Sequence, residues 1–160
     1  MSVAFTKEES SETAAETLLP DRPISAHPNL VTLTGLKQLQ AQLENARAAY
    51  EAANSIEDVN ERRRQQAGPL RDARYFTERV RSAELLPVPT AHDVIAFGAS
   101  VTYTRDDHPA QTYRIVGEDE ADPKTGTISF ASPVARALMG KAVGDVVEVN
   151  EQELEVISIA

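Results

Sequence analysis

The chain has 160 residues, no cysteine and a formal net charge of −9. Its length suits one domain of ordinary size or two small ones. The absence of cysteine excludes disulfides, zinc–thiolate sites, iron–sulfur clusters and thiol nucleophiles. The sequence shows neither a membrane-spanning apolar run nor the basic start and apolar stretch of a signal peptide, so we expect a cytoplasmic protein. So acidic a chain is also poorly suited to binding duplex DNA by itself, because such binding usually needs a basic face.

The uneven distribution of charge predicts three parts. Residues 1–29 carry a net charge of −3 and contain three prolines that interrupt any helix, so we expect an acidic flexible tail there. Residues 30–86 carry a net charge of +1 and include eight arginines, whereas residues 87–160 carry −7. Such asymmetry indicates separate roles for the middle and C-terminal parts.

Residues 30–86 are predicted to form a helical hairpin. Apolar residues recur at steps of three and four in the first half of this segment: Leu36, Leu39, Leu43, Ala46, Tyr50 and Ala53. This heptad pattern is typical of a helix with one buried seam, and we expect Thr34 to be its N-cap. Asn54-Ser55 marks the turn, and Leu70, Ala73, Val80 and Ala83 have helical spacing in the returning arm. The two seams together predict an antiparallel coiled coil.

The pair Gly68-Pro69 lies inside the returning arm. Proline lacks a backbone donor and its ring clashes with the preceding turn, which costs about 3 kcal/mol in a helix interior. The sequence therefore predicts either a kink at this point or a fresh helix with Pro69 as its first residue.

Residues 87–160 are predicted to form a small antiparallel sheet with one short helix. The strand-like segments are 100–104, 111–116, 127–130, 146–149 and 154–159. Ser132 and Pro133 have the pattern of an N-cap and a first helical residue, and Gly140 that of a helix stop. With the hairpin before it, this arrangement predicts an α+β fold.

Three charged clusters are candidates for chemistry. Asp58 and Glu61 are three residues apart at the predicted hairpin tip, where two carboxylates on one helical face can hold a divalent cation. The alternative is a solvated helix start in which Asp58 pairs with Arg62. The run Arg62–Arg64 suits either phosphate contacts or neutralisation of these acids. The run Glu118–Asp122 lacks the ligand spacing of a calcium loop, which favours a solvated acidic turn.

The C-terminal part closely resembles a known family. The stretch FGASVT at 97–102 and residues 112–149, most densely SFASPVARALMGKAVGD at 129–145, resemble the C-terminal domain of the bacterial Gre transcript-cleavage factors, GreA and GreB. Leu33-Thr-Gly-Leu36 is similar to the opening of that family's coiled-coil arm. The resemblance covers about residues 31–159 and is stronger after residue 94. It implies an FKBP-like domain that docks on RNA polymerase beside the secondary channel.

The resemblance also implies roles for individual residues. Asp58-Val-Asn-Glu61 matches the family's Asp-x-x-Glu arrangement, whose carboxylates help to hold a Mg²⁺ ion in the polymerase active site during hydrolysis of backtracked RNA. Arg62, Arg63 and Arg64 would then contact the RNA. The residues implied in polymerase binding are Ser132, Pro133, Arg136, Gly140, Lys141 and Asp145. On this interpretation the chain is a monomer, is not an enzyme by itself, binds no cofactor tightly, and meets nucleic acid only inside the elongation complex.

Two departures from the family pattern keep an alternative open. The predicted hairpin is shorter by roughly one heptad per arm, or about 10 Å of reach. Asp58 also lacks the glycine that precedes it in the family. A short-armed relative resembles Rnk-type regulators, which would occupy the polymerase channel without stimulating cleavage. A third alternative, an FKBP-like prolyl isomerase, is disfavoured by the low aromatic content and by the helical arm.

Overall fold

A computed structural model describes residues 18–106 and 108–160. The described chain divides into two compact units. Of the described residues, the first unit, the arm unit, contains 18–26 and 39–81, and the second, the sheet unit, contains 27–38, 82–106 and 108–160. The boundaries predicted at residues 29 and 86 stay a prediction, because compactness alone does not test where the functional parts divide.

The arm unit is built from two helices. Helix α1 spans Leu33–Ala52, and its first six residues belong to the sheet unit. A short 3-10 helix, Ala53–Ser55, follows, and helix α2 spans Val59–Ser82. The predicted seam is confirmed, since four of its residues are buried and the other two half-buried. The buried ones are Leu39, Leu43, Ala46 and Ala53.

The start of α1 differs from the prediction. The hydroxyl of Thr32, not Thr34, caps the helix: Thr32 Oγ1 accepts the N–H of Gly35 at 3.0 Å, and Thr32 O accepts that of Leu36 at 2.9 Å. Both threonines are competent caps in isolation. Thr32 is selected because it is buried in the sheet unit, whereas Thr34 is exposed.

Helix α2 runs without interruption through Pro69. The prediction of a fresh helix at this proline is therefore wrong. Gly68 precedes it and has no Cβ that could clash with the proline ring. Since tertiary packing routinely overrides intrinsic propensity, the helix accommodates the lost backbone donor.

The end of the predicted tail makes specific contacts within the arm unit. The guanidinium of Arg22 lies 3.9 Å from the ring centroid of Tyr75 and 3.4 Å from the carboxylate of Asp72. Asp21 lies 3.5 Å from Arg74. Residues 1–17, the rest of that predicted tail, lie outside the described residues.

The sheet unit contains a five-stranded sheet. Its strands are β3 (Ser100–Arg105), β4 (Gln111–Val116), β5 (Thr127–Ser129), β6 (Val146–Val149) and β7 (Gln152–Ile159). Their order across the sheet is β5-β4-β3-β7-β6. Three of the four pairings are antiparallel, as predicted. The fourth, β4 with β5, is parallel, because residues 117–126 carry the chain back along the sheet before β5 begins.

The core lies on one face of this sheet. Its fully buried residues include Val101, Ile115, Leu138 and Leu154. Leu138 belongs to helix α3, which spans Pro133–Leu138 and packs against β6. Ser132 caps this helix as predicted, and Gly140 follows it with φ of +83°. The α+β fold predicted from the sequence is therefore confirmed.

A second, two-stranded sheet was not predicted. Strand β1 (Leu30–Val31) pairs in parallel with β2 (Glu84–Leu85), directly before α1 begins. Gly117 lies against this pair, since a Cβ placed on it would be 2.4 Å from the carbonyl oxygen of Leu30. No side chain fits there without moving the backbone.

We predict that Gly117→Ala lowers the free energy of unfolding by about 1–3 kcal/mol, because the added methyl group forces β1 away. The matched control is Gly68→Ala, whose added Cβ meets no atom within 4 Å apart from the neighbouring residues and nearby helix backbone. The gain in helix propensity is opposed by the steric conflict with the Pro69 ring, so its stability should change by less than about 1 kcal/mol. Thermal and urea unfolding followed by circular dichroism measure both changes. Equal stability of the two variants would contradict the packing described for Gly117.

Candidate functional site

The two acids predicted at the hairpin tip lie at the start of α2, and Asp58 is its N-cap. Asp58 Oδ1 accepts the backbone N–H of Glu61 at 2.8 Å, and Asp58 O accepts that of Arg62 at 2.9 Å. The Asp58 side chain therefore has a structural role as a helix cap, whatever other role it has. The reciprocal bond of a capping box is not formed, because both oxygens of Glu61 bond other side chains of α2.

The carboxylate of Glu61 has two hydrogen-bonding neighbours on α2. Arg64 Nη1 donates to Oε2 at 3.0 Å, and Gln65 Nε2 donates to Oε1 at 2.9 Å. The pair that we predicted between Asp58 and Arg62 is not formed. Arg62 Nη1 instead donates to the carbonyl oxygen of Ile56 at 3.3 Å. Ile56 lies between the 3-10 helix and α2, so its carbonyl group is outside both helices.

Gln66 holds the connection between the helices. Its Nε2 donates to the carbonyl of Tyr50 at 3.2 Å and to Oδ1 of Asn54 at 2.7 Å. These bonds join α2 to the last turn of α1 and to the 3-10 helix. They place the acids on a tip whose backbone is constrained from both sides. The sequence analysis did not identify Gln66, because its partners are 12 and 16 residues away.

The three arginines beside the acids differ in their availability. Arg62 is engaged with Ile56, and Arg64 with Glu61. Arg63 is exposed and has no hydrogen bond or ion pair within the described part of the chain. Of the three, Arg63 is therefore the one most free to meet a phosphate group.

The tip by itself is an incomplete metal site. In the described residues there is no cluster of three or more histidine, cysteine, aspartate or glutamate side chains suited to a metal ion. Asp58 keeps its second carboxylate oxygen for a ligand, but both oxygens of Glu61 are hydrogen-bonded. Since Mg²⁺ binds six oxygen ligands, the tip fits the ion only as a donor of one or two ligands to a site built mainly elsewhere.

The second predicted site surrounds helix α3 in the sheet unit, and half of its residues have structural roles. Ser132 Oγ accepts the N–H of Ala135 at 3.3 Å. The N–H of Gly140 donates to Ile95 O at 2.7 Å, and Asp145 Oδ2 accepts the N–H of Ala142 at 2.8 Å. The side chains of the others, Pro133, Arg136 and Lys141, are exposed.

The acidic run at 118–122 is more structured than predicted. Thr32 Oγ1 donates to the carboxylate of Glu120, whose two oxygens both lie 2.8 Å away. Asp122 Oδ1 accepts the N–H of Lys124 and caps the short 3-10 helix at Pro123–Thr125. The expectation of a solvated turn is therefore wrong for Glu120, because a buried threonine hydroxyl required an acceptor.

Among the described residues, no helix has the length and hydropathy that a membrane span requires.

Most of the sheet unit is similar in sequence to known proteins. Residues 90–160 match the family model described as transcription elongation factor, GreA/GreB, C-terminal. The chain is 41% identical over 105 residues to the transcription elongation factor GreA of Chelativorans sp. (strain BNC1). It is 42% identical over 105 residues to the GreA of Mesorhizobium japonicum. Each match covers 64% of this chain and 61% of the relative, so the chain spans less than two thirds of their length.

Solved structures of the same group also resemble the chain. GreA factor homolog 1 of Thermus thermophilus is 23% identical, with a TM-score of 0.39 over 84% of this chain and 99% of that one. A GreA/GreB elongation factor from Nitrosomonas europaea is 15% identical, with a TM-score of 0.40 over 84% of this chain and 98% of that one. The likeness to this family is therefore carried by the sequence matches alone.

We predict that Asp58→Ala destabilises the start of α2 by about 1 kcal/mol, because the variant loses the capping acceptor. Asp58→Asn keeps an acceptor oxygen in the same place and should melt within about 0.5 kcal/mol of the parent chain. Circular dichroism at 222 nm during thermal unfolding measures the difference. If both variants melted alike, Asp58 would not be the cap.

Proposed function

We propose that the chain is a member of the GreA/GreB family of transcription elongation factors and that it binds RNA polymerase during elongation. The match of residues 90–160 to that family's C-terminal model and the likeness to GreA proteins support this proposal. Its proposed activity is to promote cleavage of backtracked transcripts by the polymerase. This function would place the chain in the cytoplasm, acting as a monomer on a much larger partner. The observation that carries the proposal is the long match of the sheet unit, supported by the carboxylate pair at the hairpin tip.

The proposed docking surface is formed by Pro133, Arg136 and Lys141. These three side chains are exposed, while the residues between and beside them hold the backbone of α3 and its following turn. Such a rigid frame reduces the ordering cost when a partner binds. Two cations on an otherwise acidic unit also favour a partner surface that carries carboxylates.

The proposed contribution of the tip is to position carboxylates at the polymerase's own metal site. A Mg²⁺ ion held there supplies activation of a water molecule and stabilisation of the leaving oxygen. Asp58 offers its second carboxylate oxygen without losing its cap. Glu61 must first release Arg64, an exchange between exposed groups that costs about 0–1 kcal/mol. Arg63 is the proposed contact to the RNA phosphates.

A second candidate is a regulator that occupies the polymerase channel without assisting cleavage. Its specific support is Glu61, whose two oxygens are already satisfied within α2. Helix α1 has 20 residues, which corresponds to about 30 Å. The two candidates share polymerase binding and differ only in whether RNA is cut.

For the cleavage activity, we predict that Asp58→Asn with Glu61→Gln strongly reduces release of short 3′ RNA fragments from a stalled elongation complex. The loss should be about 10–100-fold, as for other groups that support a catalytic metal ion. These changes keep the size of both side chains and one acceptor oxygen in each, while they remove the charge. The assay uses the cognate polymerase and titrates Mg²⁺.

The matched control is Glu57→Gln, an exposed acid next to the pair that has no capping role. It should cleave at the parental rate. If the parent chain bound polymerase without stimulating cleavage, the regulator would be the correct function. If the double variant cleaved like the parent, the site assignment would be wrong but not the activity.

For the docking surface, we predict that Arg136→Glu weakens polymerase binding about tenfold, because it reverses one charge at a contact. Arg136 is exposed, so the melting temperature should not change. Lys124→Glu, at another exposed cation of the sheet unit, is the control with the same charge change. Biolayer interferometry with immobilised polymerase measures both. An equal loss in the two variants would indicate a general charge effect and contradict this docking surface.

A further inference from the structure

The sheet unit contains a groove that the proposed function does not use. It has a volume of about 560 Å³ and lies between the first turn of α1 and the segment that follows β2. We name it the linker groove and define it by Leu33, Leu85, Leu86, Pro87, Val88 and Arg114. Its volume is within the range of known ligand sites, about 300–1,000 Å³.

The walls of the linker groove are unusually exposed for apolar residues. The solvent-exposed fractions are 56% for Leu33, 50% for Leu85, 36% for Leu86 and 67% for Val88. Twelve large hydrophobic residues of the described chain are exposed to this extent, and one third of them line this groove. Such clustering differs from the scattered surface hydrophobics of monomeric proteins and marks an interaction site.

Arg114 gives the groove a charge. Its Nε donates to the carbonyl of Gly98 at 3.1 Å, which holds the guanidinium in place. No ion pair to Arg114 occurs within the described residues, so its remaining donors have no carboxylate partner. It is also the single charged residue that lines the groove. An occupant that complements this surface therefore carries one carboxylate among apolar groups.

Strand β2 supplies a second feature, a free edge. The N–H group of Glu84 donates to the carbonyl oxygen of Asn29 at 2.8 Å, and that of Leu86 donates to the carbonyl oxygen of Val31 at 3.0 Å. Both bonds join β2 to the segment that contains β1. Because backbone groups alternate in direction along a strand, the peptide groups of Leu85 face away from β1. Among residues 18–106 and 108–160, no third strand joins the sheet that contains β2. An extended peptide can add to such an edge through main-chain hydrogen bonds.

We propose that the linker groove binds an extended segment of a partner protein, with apolar side chains on its walls and one aspartate or glutamate on Arg114. Residues 87–160 carry a net charge of −7, which disfavours a partner segment with many acids. A single carboxylate pairs with Arg114 at close range and keeps the repulsion small. This site is separate from the tip acids and from the α3 surface, and it does not rest on their proposed function.

The test is a selection of phage-displayed random nonapeptides on the full 160-residue chain. Enriched peptides are then synthesised with a fluorescein label, and their affinities are measured by fluorescence anisotropy. We expect apolar sequences with one acid and dissociation constants in the micromolar range. Replacing that acid with its amide should weaken binding about tenfold in the parent chain. With Arg114→Met, which keeps an apolar stem, the acid and amide peptides should bind equally.

A second pair of variants tests the apolar walls. Val88→Asp should remove binding of both peptides, whereas Val143→Asp, at a valine of similar exposure outside the groove, should leave it unchanged. Melting temperatures confirm that each variant is folded. Four outcomes would overturn the proposal: no enrichment, enriched peptides without an acid, binding that survives Val88→Asp, or groove-dependent binding of dodecanoate in place of peptides. A dimer of the parent chain that Val88→Asp dissociates would instead assign the groove to a second copy.

Discussion

The hydroxyl of Thr32 is the constraint on which the start of the helical arm depends. It accepts the N–H of Gly35, which caps α1, and it donates to the carboxylate of Glu120, which fixes the cap to the sheet unit. A hydrogen bond to a charged group contributes about 1.5–3 kcal/mol, more than any exposed ion pair of the arm. The lack of a side chain at Gly35 also matters, because a Cβ there would lie 3.1 Å from Glu120 Oε2. The glycine therefore lets the carboxylate approach the helix N-terminus, where the helix dipole favours negative charge.

Local patterns predicted most of the fold, and long-range contacts decided the rest. The seam of α1 and the cap at Ser132 depend on neighbours within a few residues, and both were predictable. The choice of Thr32 over Thr34 as a cap depends on Glu120, 88 residues along the chain. The parallel pairing of β4 with β5 likewise depends on the path of residues 117–126, which no periodicity encodes. Both features were missed because they depend on residues that are far apart in the sequence, which local patterns do not report.

Among the candidate sites, too, those formed by nearby residues were predictable and those assembled from distant residues were not. Asp58 and Glu61 were predicted as a site from their spacing, and the structure adds that Asp58 caps α2. The linker groove had no sequence signal, because its walls come from three separate segments of the chain. Gln66 was missed for the same reason, as its partners lie across the hairpin. A motif within one helical turn is therefore visible in the sequence, whereas a surface assembled by folding is not.

The double use of Asp58 bears on how the tip acids would meet a metal ion. A cap occupies only one of the two aspartate oxygens, so capping and ligation are compatible at Asp58. Glu61 differs, because a cation that approaches it competes with the guanidinium of Arg64 at 3.0 Å. Both side chains of that pair are largely exposed, so a divalent ion with twice the charge displaces the arginine at little cost. Under the proposed function, the released guanidinium would then be free beside Arg63 to meet RNA phosphates. The pairing of Glu61 with Arg64 would in that case be a resting arrangement, in which each group stays neutralised until a partner supplies both a cation and an anion.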